Sequence, residues 1–326
     1  MSDDLNLFSH EGLPISDEVD DTMVDSEMDA VESWFLSFPD LESRFAEVFR
    51  QAIDEVLDGQ RTGRFDIHDR ARVAKTELTY LGTKVEIVCQ DMFELPRGKS
   101  MDYLVCEQEV DAKFSIGAST GQSIPREAVG RICLLMHARD DRGRFSVGLL
   151  RTTEDRLNPG KNSDGKRSIK SESRRHIRWL VRDGDLPENF LMRLSAAERH
   201  EIFDRLDARG NPPSGQERVN RLFRIVQGRV VDRQTVLTVA KQSDAPKRVR
   251  DARIALRDEG IMIFGHQNGH PNVCHDLGLP KCSKGEWISA RLVPSEGDDG
   301  RRVTPMGSAT YAVANDDEPP SPLPTL

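Results

Sequence analysis

The chain has 326 residues, of which 37% are hydrophobic and 31% are charged, and its formal net charge is −9. This length suffices for two globular domains of about 150 residues each. No apolar run approaches the roughly 20 residues that cross a bilayer, and the acidic start does not resemble a signal peptide, so we expect a cytoplasmic protein with no membrane partner.

The five cysteines are scattered and form no C-x-x-C motif. This spacing argues against a disulfide scaffold and against a zinc ribbon. We therefore expect them to be reduced thiols in the core: Cys89, Cys106, Cys133, Cys274 and Cys282.

The negative charge is concentrated at the two ends of the chain. Residues 1–43 contain 13 acidic residues and no Lys or Arg, whereas residues 44–294 carry 44 basic and 36 acidic residues. The basic excess lies after residue 150, where 28 basic residues face 19 acidic ones. A neutral front half followed by a basic back half favours nucleic-acid binding.

The front half predicts an α/β sheet domain. Helical spacing of apolar residues predicts helices at 41–56 and 81–92, and alternation predicts strands at 101–106, 109–116, 132–138 and 145–150. The back half predicts helices at 196–206, 216–227, 234–241 and 246–257, then strands at 260–264 and 287–293 joined through a turn at 267–269. This order is typical of a winged helix-turn-helix.

We thus expect an α/β (α+β) sheet domain followed by a mostly helical winged helix-turn-helix domain. The predicted segments are an acidic disordered leader (1–35), the sheet domain (36–155), a linker (156–173), the helical domain (174–312) and a disordered tail (313–326).

The strands at 101–106 and 109–116 place two carboxylates and one amine together. If Glu107 and Gln108 form a two-residue turn, Asp102, Asp111 and Lys113 point to the same face of the hairpin. A three-residue turn would send Asp102 to the opposite face.

Two close carboxylates repel each other unless a cation joins them, and carboxylate oxygens on a partly hydrated site favour Mg²⁺. Glu86, on the preceding helix, is the natural third carboxylate, as a ligand or as the acceptor of a proton from water. Lys113 would offset charge on a scissile phosphate. This set suits hydrolysis of a phosphodiester, although a solvated sheet face carries the same pattern.

Several stretches resemble the NaeI-type type II restriction endonucleases, a branch of the PD-(D/E)xK nucleases. They span roughly residues 40–310: Lys75-Thr76-Glu77, Gly82-Thr83-Lys84-Val85-Glu86, Asp102-Tyr103, Val110-Asp111-Ala112-Lys113-Phe114-Ser115, Gln216-Glu217-Arg218-Val219-Asn220-Arg221-Leu222-Phe223-Arg224, Lys247-Arg248-Val249-Arg250, Glu259-Gly260-Ile261, Gly265-His266-Gln267 and Asp276-Leu277-Gly278-Leu279-Pro280.

The resemblance implies a homodimeric endonuclease that cuts double-stranded DNA and binds two copies of a palindromic G/C-rich site, one as effector and one as substrate. Survival of the host would then demand a companion DNA methyltransferase. The family's catalytic acidic positions fall on Glu86, Asp102 and Asp111, which are also the expected Mg²⁺ ligands, and its lysine falls on Lys113.

The second half offers candidate DNA-binding residues. The helix at 246–257 carries its basic side chains opposite an apolar packing face. One further basic residue lies at each end of the preceding helix. The candidates are Arg233, Lys241, Lys247, Arg248, Arg250, Arg253 and Arg257.

Three alternatives remain open from the residues. A winged-helix transcription regulator with a non-catalytic sensing domain would not need the Asp-x-Lys face, and a structure-selective nuclease would share it without reading a palindrome. A zinc site near the predicted wing could use His266, His270, Cys274, His275 and Cys282. Their spacing matches no known zinc finger, so a polar wing loop is the simpler interpretation.

Overall fold

A computed structural model describes residues 25–117, 122–160, 165–298 and 300–324. The helices are α1 (Ser26–Leu36), α2 (Leu41–Leu57), α3 (Gly59–Thr62), α4 (Lys75–Met92), α5 (Ala196–Phe203), α6 (Gly215–Ile225), α7 (Arg233–Ala240), α8 (Ala245–Leu256) and α9 (His270–Leu277). The strands are β1 (Tyr103–Val105), β2 (Gln108–Ile116), β3 (Ser123–Ile124), β4 (Ile132–Arg139), β5 (Arg144–Arg151), β6 (Arg167–Ser168), β7 (Arg178–Asp185), β8 (Val230–Asp232), β9 (Ile261–Phe264), β10 (Glu286–Pro294), β11 (Val303–Met306) and β12 (Ala309–Val313).

The chain divides into two compact units. The first contains the chain up to Val56 and Ile67–Asn189, and the second contains Leu57–Asp66 and Phe190–Leu326. The predicted boundary at 156–173 therefore differs from the observed one. Strand β7 lies beyond that segment and pairs with β5 of the first sheet. This pairing satisfies backbone N–H and C=O groups of β5 that would otherwise lack a partner.

The first unit is a mixed α/β domain, as predicted. Its five-stranded sheet has the order β1-β2-β4-β5-β7, in which β2 and β4 are parallel and the other neighbours are antiparallel. One face packs on α2 through Phe49, whose ring contacts Phe114 of β2 and Phe145 of β5. The opposite face buries a second apolar cluster that includes Cys133, Leu135, Leu150, Leu157, Ile169 and Ile177.

Helix α1 corrects the prediction of a disordered leader over 1–35. Its Met28, Val31 and Phe35 are buried, and its acidic side chains pair with two arginines of the sheet. Arg151 binds Asp25 and Glu27, and Arg178 binds Asp29 and Glu32. The acids that made this segment look solvated are thus neutralised locally. Residues 1–24 of the predicted leader lie outside the described residues.

The second unit is mostly helical in its first half. Helices α6, α7 and α8 bury a common core that includes Val219, Leu222, Phe223, Val236, Val249 and Leu256. The segment 241–244 joins α7 to α8, and Asp244 caps α8 by accepting the Lys247 N–H at 2.9 Å. Strand β9 then pairs antiparallel with β10, in a sheet that also contains β8, β12 and β11.

Two further segments of this unit are more ordered than the sequence predicts. The segment predicted to be a polar wing loop contains helix α9, which lies between Gly269 and Gly278, both at positive φ, and whose Cys274 and Leu277 are buried. The predicted disordered tail packs as well, since Leu323 is buried and its N–H donates to the Arg257 carbonyl at 3.1 Å. In the part of the chain that the structure describes, no helix is long and apolar enough to cross a bilayer.

Candidate active site

The hairpin of β1 and β2 closes through a two-residue turn, one position earlier than predicted. Tyr103 pairs with Val110, and Cys106 and Glu107 form the turn with φ angles of 48° and 63°. The prediction that Glu107 and Gln108 form the turn is therefore wrong. Gln108 already belongs to β2, because two left-handed residues in succession give the turn type whose twist matches paired strands.

This correction leaves the predicted faces intact. The observed register differs from the predicted one by two residues, and side chains alternate with a period of two. Asp111 and Lys113 therefore still share a face of β2, and Asp102, just before β1, lies beside them. Its Oδ2 accepts the Ala112 N–H at 2.7 Å.

The chain before Asp102 is held by a carboxylate that the sequence did not single out. Glu109 of β2 accepts the backbone N–H groups of Lys99, Ser100 and Met101 at 2.7, 2.9 and 2.7 Å. These three hydrogen bonds lower the pKa of Glu109. Glu109 thus fixes the bend that presents Asp102 to the sheet.

Helix α4 brings Glu86 to the same place. The buried Tyr103 hydroxyl donates to the Glu86 backbone carbonyl at 2.9 Å, which fastens the helix to β1 at this residue. Burial, the charge of Asp102 and a hydrogen bond with that carboxyl raise the pKa of Glu86 to about 7. The Asp102 carboxyl is therefore a close neighbour of Glu86.

Asp111 is 5% exposed and lies against the lysine two residues along its strand. The Lys113 Nζ donates to Asp111 Oδ2 at 2.6 Å and to the Ala112 carbonyl at 2.9 Å. Burial raises the pKa of Asp111, and the nearby Lys113 cation opposes that rise. The ammonium therefore offsets one negative charge of a cluster that contains three carboxyl groups.

The four predicted catalytic residues are thus gathered at one edge of the first sheet. Their carboxyl and carbonyl oxygens are the donors that Mg²⁺ prefers, and burial together with neighbouring carboxylates raises the pKa values of Glu86 and Asp111. Among the described residues, no group of three acidic, histidine or cysteine side chains is spaced to enclose an ion. The Lys113 ammonium holds Asp111 and the Ala112 carbonyl together instead.

In the second unit the predicted DNA-binding residues fall into three groups. Lys247 and Arg248 point to Asp251, at 3.2 and 3.3 Å, so their charges are partly neutralised within α8. Lys241 is exposed at the end of α7, and Arg257 follows α8 beside the C-terminal segment. Neither of them joins the cluster formed by the remaining three.

Arg233, Arg250 and Arg253 line a common cleft of about 510 Å³, which also contains Lys284. Within the described residues, none of these four cations forms an ion pair. The Arg253 Nε donates to the Ile263 carbonyl at 2.7 Å, and burial together with Arg250 lowers the pKa of Arg253. Lys284 was not predicted, because it lies in the loop before β10, far along the chain from α8.

The histidines and cysteines near the predicted wing do not form a metal site in the described chain. Cys274 and Cys282 are buried in the apolar cluster around β10 and β12. The His270 Nδ1 accepts the Gly265 N–H at 3.0 Å, and burial and Arg253 lower the pKa of His270 to about 4. Four of the five cysteines are buried as expected, whereas Cys106 is exposed in the hairpin turn.

The chain is similar in sequence to known restriction endonucleases. The family model described as restriction endonuclease NaeI matches residues 35–322. The type II restriction enzyme NaeI of Lentzea aerocolonigenes is 38% identical over 299 residues, which cover 90% of this chain and 92% of that enzyme. This similarity favours the endonuclease interpretation over the transcription regulator.

Proposed function

The chain belongs to the restriction endonuclease NaeI family, and from this premise we propose that it is a Mg²⁺-dependent type II enzyme. Its proposed reaction is hydrolysis of phosphodiester bonds in double-stranded DNA at a specific, G/C-rich palindromic site. The observation that carries the proposal is that Glu86, Asp102 and Asp111 lie near one another and that Asp111 contacts the Lys113 ammonium.

In this proposal Asp102 and Asp111 hold the metal, and Glu86 is a further ligand or the group that takes a proton from water. The donor set fits Mg²⁺, because carboxylate oxygens in excess of nearby cations are what a hard divalent ion requires. When bound, Mg²⁺ polarises the phosphate and lowers the pKa of a coordinated water.

The protein's own groups supply the remaining chemistry. A carboxyl group with a pKa of about 7, as at Glu86, exchanges protons with water at neutral pH, which suits a general base. The Lys113 ammonium is mobile on its aliphatic stem and can move from Asp111 to a phosphate oxygen as negative charge develops there. Glu109 and Tyr103 keep Asp102 and Glu86 in position through their backbone contacts.

The second unit is proposed to be a winged helix-turn-helix domain that binds a second, effector copy of the site. Its support is the order α7, short turn, α8, β9 and β10, together with the four cations of the cleft, which form no ion pair with any described residue. Cations without carboxylate partners gain most from phosphate, because no internal ion pair has to be broken first. Arg233, Arg250, Arg253 and Lys284 are therefore the proposed phosphate contacts.

A palindromic site is read most simply by a symmetric protein, and we propose a homodimer accordingly. An enzyme that cuts a short sequence also endangers the genome of its own host. We therefore propose that a cognate DNA methyltransferase protects the same site.

Digestion of two plasmids of known sequence, followed by mapping of the cut ends, tests this function. We expect cleavage in Mg²⁺ and none in EDTA, with all ends at one short palindrome. The Asp111→Ala enzyme should not cut, yet it should retain DNA binding in Ca²⁺. Ends without a common sequence would indicate a structure-selective nuclease, and no cleavage by the unchanged enzyme would refute the proposal.

A further inference from the structure

A buried thiol lies directly behind the carboxylate pair. Strand β4 runs parallel to β2, and Cys133 is the register partner of Asp111, so the two side chains share a face of the sheet. The Cys133 Sγ donates to Asp111 Oδ2 at 3.7 Å, a normal length for a sulfur donor. Cys133 is 0% exposed and is surrounded by apolar side chains.

The proton of this thiol has two acceptors within reach. Thr152 Oγ1 also lies 3.7 Å from Cys133 Sγ. The Thr152 hydroxyl donates its hydrogen to backbone carbonyl oxygens, which lie at 2.5 Å for Ala128 and 3.1 Å for Arg131, so towards the thiol it can only accept. A carboxylate is a stronger acceptor than a hydroxyl oxygen. The thiol therefore donates to Asp111 rather than to Thr152.

We infer that Cys133 is a positioning residue for Asp111. Its thiol and the Lys113 ammonium both donate to the same oxygen, Oδ2 of Asp111. Two donors on one oxygen, one from a neighbouring strand and one from the same strand, fix the rotation of the carboxyl group about its own axis. This fixed rotation prepares Asp111 for a divalent cation, so the inference rests on the proposed function.

Groups that orient a metal ligand are worth about tenfold or more in metal affinity. The test uses two full-length variants that remove the donor and differ in volume. Cys133→Val fills the site with methyl groups, whereas Cys133→Ala leaves a cavity. Binding of Mn²⁺ is measured by calorimetry without DNA, and the melting temperature is measured in EDTA.

If the thiol positions Asp111, both variants bind Mn²⁺ about tenfold more weakly than the unchanged protein, whatever their melting temperatures. If Cys133 only fills space, metal affinity follows stability, and Cys133→Val binds as the unchanged protein does. Ile169→Val removes one methylene from the same apolar cluster. We expect this control to lower the melting temperature by about 3 °C and to leave Mn²⁺ affinity within twofold.

The outcomes separate this inference from the function on which it rests. Unchanged Mn²⁺ affinity in Cys133→Val, with an unchanged protein that cleaves DNA, would overturn the positioning role alone. An unchanged protein that neither binds Mn²⁺ nor cleaves DNA would overturn both. The affinity of the variants for uncut DNA in Ca²⁺ should stay within twofold, since the thiol is buried and has no access to DNA.

Discussion

The two units use charge in opposite ways. The first unit brings three carboxyl groups and the Lys113 ammonium close together. Burial of the carboxyl groups raises the pKa values of Glu86 and Asp111. The second collects four cations around a cleft without a carboxylate partner among the described residues. Each site therefore carries unbalanced charge, of a sign that calls for a ligand of the other sign. The net charge of −9 for the whole chain conceals this division.

Other charged groups of the first unit form ion pairs. The buried Arg50 guanidinium binds Asp54 and Asp140, each at 2.7 Å, and Lys84 binds Glu55 at 2.5 Å. Balanced pairs of this kind support the fold and leave nothing for a ligand to neutralise. This contrast supports the two unbalanced sites as the proposed functional ones, and the paired residues provide matched controls.

The largest expected effect is the loss of Lys113. We predict that Lys113→Met lowers the single-turnover cleavage rate by about 10³-fold or more, because the charge that stabilises the phosphate in the transition state is gone. Lys84→Met removes another lysine of the same unit, but one that pairs with Glu55. Its rate should stay within about threefold, and an equal loss in both variants would contradict a special role for Lys113.

The next effect concerns the cleft of the second unit. We predict that Arg250→Ala and Arg253→Ala each weaken binding of effector DNA by about tenfold and reduce the slope of log affinity against log salt by about one. Lys247→Ala should change affinity by less than about threefold, because Asp251 already pairs with that lysine. Fluorescence anisotropy across a salt series would measure both, and a larger loss in Lys247→Ala would refute the cleft as the phosphate site.

The smallest effect is one of stability and depends on pH. The pKa of Glu86 in the folded protein, about 7, lies above its usual value of 4.5, so the folded state binds this proton more tightly. The resulting stabilisation is present below pH 4.5 and is lost as pH rises through 7. In EDTA at pH 8, Glu86→Gln should therefore raise the free energy of unfolding by about 1 kcal/mol, since solvent screens part of the repulsion at a half-buried group.

The matched control has the opposite sign. Hydrogen bonds from Lys84 and Gln51 lower the pKa of Glu55, so its stabilisation is present above the usual carboxyl pKa and is lost as pH falls. Glu55→Gln should lower stability at pH 8, as measured by chemical denaturation. A lower stability of Glu86→Gln at pH 8 would mean that the carboxyl cluster does not strain the fold.

Much of the site follows from residue patterns alone. Asp102, Asp111 and Lys113 belong to one hairpin, and the period of two along a strand fixes their faces once the turn has two residues. The turn itself was placed one residue too late, because Cys106 and Glu107 are not residues that usually adopt positive φ. The placement of Glu109, Lys284 and Cys133 at these sites was not predicted, since each lies next to groups that are distant in sequence or on a neighbouring strand.

The order and limits of most helices and strands were determined by the sequence, since apolar periodicity is a local property that each segment carries by itself. Tertiary structure decided what happens to polar segments. The sequences of helix α1 and of the C-terminal segment predict solvated chain. In the structure, Arg151 and Arg178 neutralise the acidic side chains of α1. Arg301 and Arg291 bind the C-terminal segment at Glu318. Which charges are paired and which remain unbalanced depends on residues that only folding brings together, because electrostatic energy follows distance in space and not distance along the chain.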